Sequence, residues 1–281
     1  MVGGRRAWRR RDGRHHGRRG PCCDDCRLPR LTRGGRVTPA CVLTIAGSDS
    51  GGGAGIQADL ATFAAFGVHG TSALTALTAQ NTIGVQGVHV VPPAFVDLQL
   101  RSVLDDFTVG AAKTGMLATA EIISIVARRA AGNELPNLVV DPVMIATSGH
   151  RLLDADAERA YLDALFPHAV VVTPNARGPR YVVIKGGHLD GNESVDVVFD
   201  GTDIEFLHAP RVASVNTHGT GCTFSAAITA RLALGDPPDR AISVAKRYIT
   251  SAIEAASGWR LGHGHGPVDH FRHAPSPGEN R

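Results

Sequence analysis

The stretch that decides the fold is "CVLTIAGSDSGGGAGIQADLATFAAFG", residues 41–67. Cys41 to Gly47 form a short apolar run bounded by turn residues, the pattern of a buried strand. Ala54 to Gly67 place Ile56, Leu60 and Phe63 on one helical face. A glycine-rich turn joins the two. Glycines allow backbone N–H groups to approach a ligand, and a helix N-terminus favours anions. No Gly-Lys-Ser/Thr follows, so this is not a Walker A loop, and G-x-G-x-x-G does not fit with clean spacing. A tight turn with no ligand is the competing reading.

The same alternation continues outward. "TSALTALTA" (71–79), "VGAAKTG" (109–115), "NLVVD" (137–141), "HAVVVT" (168–173) and "YVVIKGG" (181–187) read as strands, several apolar on both faces. "VQGVHVVP" (85–92) precedes a candidate helix from Ala94 to Asp105. "SVDVVFDG" and "IEFLHAP" read as a β-hairpin around Asp200-Gly201, and helices follow at about 220–234 and 238–257. Doubly apolar strands separated by helices predict an α/β fold, a mostly parallel central sheet covered by helices on both faces. Such sheets bind ligands beyond the carboxyl ends of their strands. Gly47-Ser48-Asp49, Gln80-Asn81, Lys113-Thr114-Gly115, Asp141-Pro142, Thr173-Pro174-Asn175 and Lys185-Gly186-Gly187 all fall there.

"NTHGTGC", residues 216–222, is the sharpest motif. Gly219 and Gly221 can form a nest of N–H groups, and the helix that follows adds its positive end. That arrangement suits the charge on a transferring phosphoryl group. A cysteine at a helix N-terminus is expected to have a lowered pKa, fitting Cys222 as base or nucleophile; the plain alternative is a small buried apolar residue. Lys185 ends a strand before two glycines, either a phosphate contact or a solvated lysine. Asp59, one turn into its helix, is either solvated or aimed at a ligand's donor. "GHGHGPVDHF" (262–271) lacks metal-ligand spacing and reads as a loop.

Composition narrows the classes. Of 281 residues 43% are apolar and 20% charged, and no apolar run reaches the roughly 18 residues of a membrane span. Residues 1–36 carry 12 Arg against 3 Asp, a net +9, while the remainder carries 17 basic and 23 acidic residues, a net −6. An acidic body argues against a nucleic-acid footprint. Cys41 and Cys222 are the two cysteines of the body, which is no disulfide framework and fits a reducing, cytoplasmic compartment. The other three, with His15 and His16, are too sparse for a zinc site. Residues 1–38 are expected to be a disordered leader, with translation beginning near Val37, and residues 272–281 a tail; the domain proper spans 39–271.

Taken together, "TIAGSDSGGGAGIQADLATFAAFGVHG", "TALTAQNTIGVQGV", "AAKTGML", "VVDPVM", "TPN", "KGGH", "NTHGTGC" and "GHGPVDHF" resemble, in order, the hydroxymethylpyrimidine/phosphomethylpyrimidine kinases of the ribokinase-like superfamily. The resemblance spans about residues 42–271. It implies a ribokinase-like homodimer. ATP would phosphorylate 4-amino-5-hydroxymethyl-2-methylpyrimidine and then its monophosphate, for thiamine diphosphate. By motif position Gly47, Ala54, Asp59, Gln80, Met116 and Val143 would line the pyrimidine site. A carboxylate and a carboxamide match an aminopyrimidine's donors and acceptors. Cys222 would take the hydroxyl proton. Gly219, Thr220, Gly221 and Cys222 would form the anion hole, Lys185 would contact ATP phosphates, and Asn175, Thr217 and Asp141 would serve the Mg²⁺–ATP region.

One departure stands out. The family continues T-P-N-x-x-E-A into a helix, a variable loop and a second helix before the K-G-G strand. Here eight residues, Thr173 to Arg180, connect the two strands, and the magnesium-supporting glutamate becomes Gly178. A helical crossover needs a dozen or more residues. Either these strands pair differently, or one sheet face is left bare. The rival readings are a pyridoxal/pyridoxine kinase on the same scaffold, and a pyrimidine-binding homologue with an impaired ATP half.

Overall fold

The computed structural model describes residues 38–143, 159–173, 179–187 and 191–271. The leader through residue 37, the 272–281 tail and Asn175 lie outside them. Nine strands form one sheet in the order β3-β2-β1-β4-β5-β6-β7-β8-β9. They are β1 Cys41–Asp49, β2 His69–Gln80, β3 Val85–Val90, β4 Val109–Thr114, β5 Val139–Val140, β6 Val171–Val172, β7 Tyr181–Ile184, β8 Glu193–Phe199 and β9 Ile204–Pro210. From β2 through β7 neighbouring strands run parallel; β3, β8 and β9 are antiparallel additions. Among the described residues five α-helices accompany them: α1 Gly55–Ala65, α2 Pro93–Leu104, α3 Ala120–Ala131, α4 Thr220–Ala233 and α5 Pro238–Ala256, with a π-helical turn at Tyr161–Leu165.

The apolar strands are buried on both sides. Leu43, Ile45, Ala112, Val140 and Val172 point into one core, filled by α2, α3, Tyr161, Leu165 and Phe166. Their neighbours Val42, Ala111, Val139 and Val171 point into the other, filled by α1, α4 and α5. This one-residue alternation is why the strands read as unbroken apolar runs. Helix α3 starts at Thr119, whose hydroxyl accepts from the Ile122 amide, and ends near Arg128 and Arg129, as capping and the helix dipole favour.

Helix α4 is buried from Thr223 to Leu232 and lies between the sheet, α1 and α5. Alanines allow that closeness. Its hydroxyls satisfy themselves on the preceding turn, Thr223 donating to the Gly219 carbonyl at 2.9 Å and Thr229 to that of Ser225 at 2.8 Å. The predicted hairpin forms around Asp200, whose carboxylate accepts from the Thr202 and Asp203 amides.

The short connection has a clear outcome. β6 and β7 are parallel neighbours, Val171 opposite Tyr181 and Val172 opposite Val182. The pairing is two residues long, so a short connection suffices to join the strands. Among the described residues no helix packs on the face of β7–β9 that carries Ile184, Phe199, Ile204 and Phe206.

Candidate active site

The strand ends converge as expected, at one edge of the sheet above the start of α4. Two glycine-rich loops meet there, residues 49–55 after β1 and 216–222 before α4. Gly219, at φ 78°, forms the junction: a Cβ there would collide with the Gly53 carbonyl. Both the left-handed backbone and the backbone-to-backbone approach demand glycine.

The first loop does not hold out its amides to a ligand. Asp49 turns back into it, accepting from Gly51 N at 2.8 Å, Gly53 N at 3.0 Å and Ala54 N at 2.8 Å. Its Oδ2 also lies 2.9 Å from His218 Nε2. Burial works against the Asp49 charge, yet the His218 hydrogen bond and the loop amides outweigh it and hold the carboxyl below its ordinary range. The expected anion cradle at residues 49–54 is therefore filled by the chain's own carboxylate. His218 in turn lies 3.3 Å from the Gln80 side-chain amide, and both line a shallow cleft with Asn81, Thr82 and His265.

Asp59 is neither solvated nor at the mouth. It has no exposure, accepts from Thr44 Oγ1 at 2.6 Å, and meets Lys113 Nζ with both oxygens at 2.9 Å. Burial opposes the Lys113 charge, but Asp59 outweighs it and raises the ammonium above its ordinary range. Gly47 faces Met116, leaving no room there for a side chain, and Ala54 heads α1 beside them. Val143 closes the described segment after β5, half-buried.

On the other side Asp141 follows β5 and Lys185 follows β7. Asp141 accepts from Thr173 Oγ1 at 2.8 Å and Lys185 Nζ at 3.2 Å, and Ser225 Oγ lies 3.2 Å away. Burial penalises the Asp141 charge; Lys185 and then Lys113 overcome it and keep the carboxyl below its usual range. A Cβ on Gly221 would come within 3.1 Å of Lys185 Nζ and 3.6 Å of Asp141 Oδ2, so both charges flank the first turn of α4. Among the described residues no three His, Cys, Asp or Glu side chains gather as a metal site. Asp141 offers a single carboxylate, already paired with Lys185.

Cys222 overturns one expectation. Its thiol is pushed up, not down. Burial dominates, and Asp59 and Asp141 add to it, against the lowering effect of Lys113 and the Gly55 amide.

Three residues in the site were given no individual role from sequence: Asp49 and Lys113, named only among the strand-end residues, and His218. Asp49 had a local signal, a carboxylate one residue ahead of the Gly51–Gly53 run, which favours turn-forming hydrogen bonds. The partners of Lys113 and His218 lie 54 and 169 residues away, beyond any local pattern.

With this geometry, known proteins provide the comparison. The phosphomethylpyrimidine kinase family matches residues 49–178 and 176–269. The hydroxymethylpyrimidine/phosphomethylpyrimidine kinase of Streptomyces coelicolor is 47% identical over 260 residues, covering 83% of this chain and 95% of that protein. The chain belongs to the phosphomethylpyrimidine kinase family. The thiamine biosynthesis bifunctional protein of Geobacter sulfurreducens is 50% identical over 256 residues, and the chain spans about half of its length, 52%. A solved phosphomethylpyrimidine kinase from Clostridium difficile matches with TM-score 0.66 at 38% identity, over 76% of this chain and 99% of that one. The ADP complex of Bacillus subtilis pyridoxal kinase matches with TM-score 0.76 at 37% identity, over 83% and 97%. The ribokinase-like, mostly parallel fold is thus the fold of this family.

The match also locates the shortening. Its two parts meet at residues 176–178, inside the β6–β7 connection. The Streptomyces alignment of 260 positions uses 83% of 281 residues, about 233, so about 27 positions have no counterpart here.

Proposed function

We propose that this chain transfers the γ-phosphoryl group of ATP to the hydroxymethyl group of 4-amino-5-hydroxymethyl-2-methylpyrimidine, and then to the resulting monophosphate. The observation that carries this reading is the start of α4, where Gly221, in the Gly219–Cys222 turn, lies beside Lys185 and Asp141. Family membership supports the same reaction.

In this reading the acceptor hydroxyl lies against Cys222, which takes its proton as the oxygen attacks phosphorus. With burial raising the thiol's pKa, the thiolate that acts as base is the minor form near neutral pH. The α4 N–H groups and Lys185 meet the charge on the moving phosphoryl group. Lys185 is reachable because its side chain keeps 32% exposure despite the Asp141 pair. Asn175 and Thr217 join the nucleotide side. Mg²⁺ neutralises phosphate charge when bound, and a single carboxylate fits an ion held largely by phosphates and water, so Asp141 is its proposed protein ligand. Gln80 and Met116 orient the pyrimidine, while Asp59, locked under Lys113, contributes from below. The second transfer needs no strong base, since its acceptor is already a phosphate. A homodimer, as the resemblance implies, completes the reading.

ADP release measured with the pyrimidine alcohol, its monophosphate, pyridoxal and pyridoxine tests this. Turnover is expected with the first two. Faster turnover of pyridoxal would favour the second reading, which the likeness to solved pyridoxal kinases supports. Pyrimidine binding by calorimetry without ADP release would mark an impaired homologue.

A further inference from the structure

The exposed face of β7–β9, which no helix among the described residues covers, is apolar. Ile184, Val197, Phe199, Ile204 and Phe206 share it, as the pairs Ile184–Val197, Val197–Phe206 and Phe199–Ile204 require. Ile184, Phe199, Ile204 and Phe206 are 43%, 38%, 61% and 57% exposed. Neither core reaches them. The reverse side of the same strands is finished normally: Val183 and Val198 pack in the α4–α5 core, and Lys246 on α5 pairs with Asp196 at 2.9 Å. A one-sided apolar surface of this kind marks a place where something packs.

Topology says what. The connections from β4 to β5 and from β5 to β6 step the same way along the sheet, and their α3 and Tyr161–Leu165 segments cover the face of Val140 and Val172. Parallel connections keep one hand, so a full crossover from β6 to β7 would lie on that same face. Val172 is paired with Val182, and Val182 with Phe199, so that face runs from the buried Val172 and Val182 onto the exposed residues of β7–β9. The alignment supplies the length: about 27 positions are missing, 260 less the 83% of 281 residues covered, and the family match breaks at 176–178, where that crossover would run.

We propose that the β7–β9 face is a seat for an amphipathic helical segment of about that length, and that this chain still binds such a segment when it is supplied in trans. The seat is independent of the reaction read from the α4 loop.

The probe is a fluorescent synthetic peptide reproducing the stretch that the Streptomyces coelicolor relative carries between the positions aligned with Thr173 and Tyr181. Saturable anisotropy with the full chain is expected, weakened at least tenfold by Phe199→Asp with Phe206→Asp. Ile204→Lys is the second variant should that pair fail to fold. Amide exchange in β8 and β9 should slow on peptide addition, and inserting the stretch in cis between Thr173 and Tyr181 should abolish binding in trans. No saturable binding, or binding indifferent to the substitutions, overturns the proposal. So does sedimentation showing a dimer that Phe206→Asp separates and the peptide does not, since a second copy would then be the occupant.

Discussion

Lys113 holds both carboxylate oxygens of Asp59 at 2.9 Å, and neither side chain has any exposure to solvent. The pair ties β4 to α1 beneath the candidate site. Losing one partner strands the other charge in the interior, a cost of about 3–5 kcal/mol, whereas apolar replacement of both is often neutral. Lys113→Met should therefore destabilise the chain far more than Lys113→Met combined with Asp59→Leu. Urea denaturation of the three proteins checks this; a single variant as stable as the double would mean the pair is not charged.

Gly219→Ala should disrupt both loops. The left-handed backbone alone costs a side chain about 1–2 kcal/mol, and the collision with Gly53 adds to it. A melting temperature several degrees lower, with ADP release lost, is the expected result. Gly221→Ala meets the movable end of Lys185 instead, so it should fold normally and raise the KM for ATP.

Cys222→Ala should cut phosphorylation of the alcohol by about 10²–10⁴-fold, the range of a general base, and spare that of the monophosphate. Because burial raises the thiol, the thiolate fraction grows as pH rises, so wild-type kcat/KM for the alcohol should climb into the alkaline range. Rates of both steps against pH decide. Equal loss of both steps in the variant, or a flat wild-type profile, would remove the base role.

His270 braces the same helix, its Nε2 lying 3.0 Å from Thr223 Oγ1. Burial lowers its pKa to about 4 from 6.5. Between those values the unfolded chain binds more protons than the folded one, so stability rises with pH there and falls as pH drops from 6.5 toward 4. Denaturation midpoints across that window should show a loss of a few kcal/mol, at about 1.4 kcal/mol per unit of pKa shift. His270→Gln should flatten the slope.

Much of the architecture was legible locally. Apolar runs such as "CVLTIAG" and "NLVVD" announced doubly buried strands, Asp200-Gly201 announced the hairpin, and helix bounds near residues 220 and 238 followed from periodicity. The convergence of strand-end residues followed from the parallel sheet, because every parallel strand delivers its carboxyl end to one edge. The local chemistry of the site did not follow. A cysteine before a helix suggested a depressed thiol, and the glycine turn suggested a free anion cradle; burial reversed the first and the Asp49 carboxylate filled the second.

The eight residues after Val172 show the same division. Sequence alone established that the connection was too short for a helix, and left open whether the strands would still pair. Backbone hydrogen bonding decided that they do, since two residues of parallel ladder ask little of the returning chain. It also decided that Ile184, Phe199, Ile204 and Phe206 stand together in water. Their shared face is a property of register across three strands, and strand register is set by pairing in space.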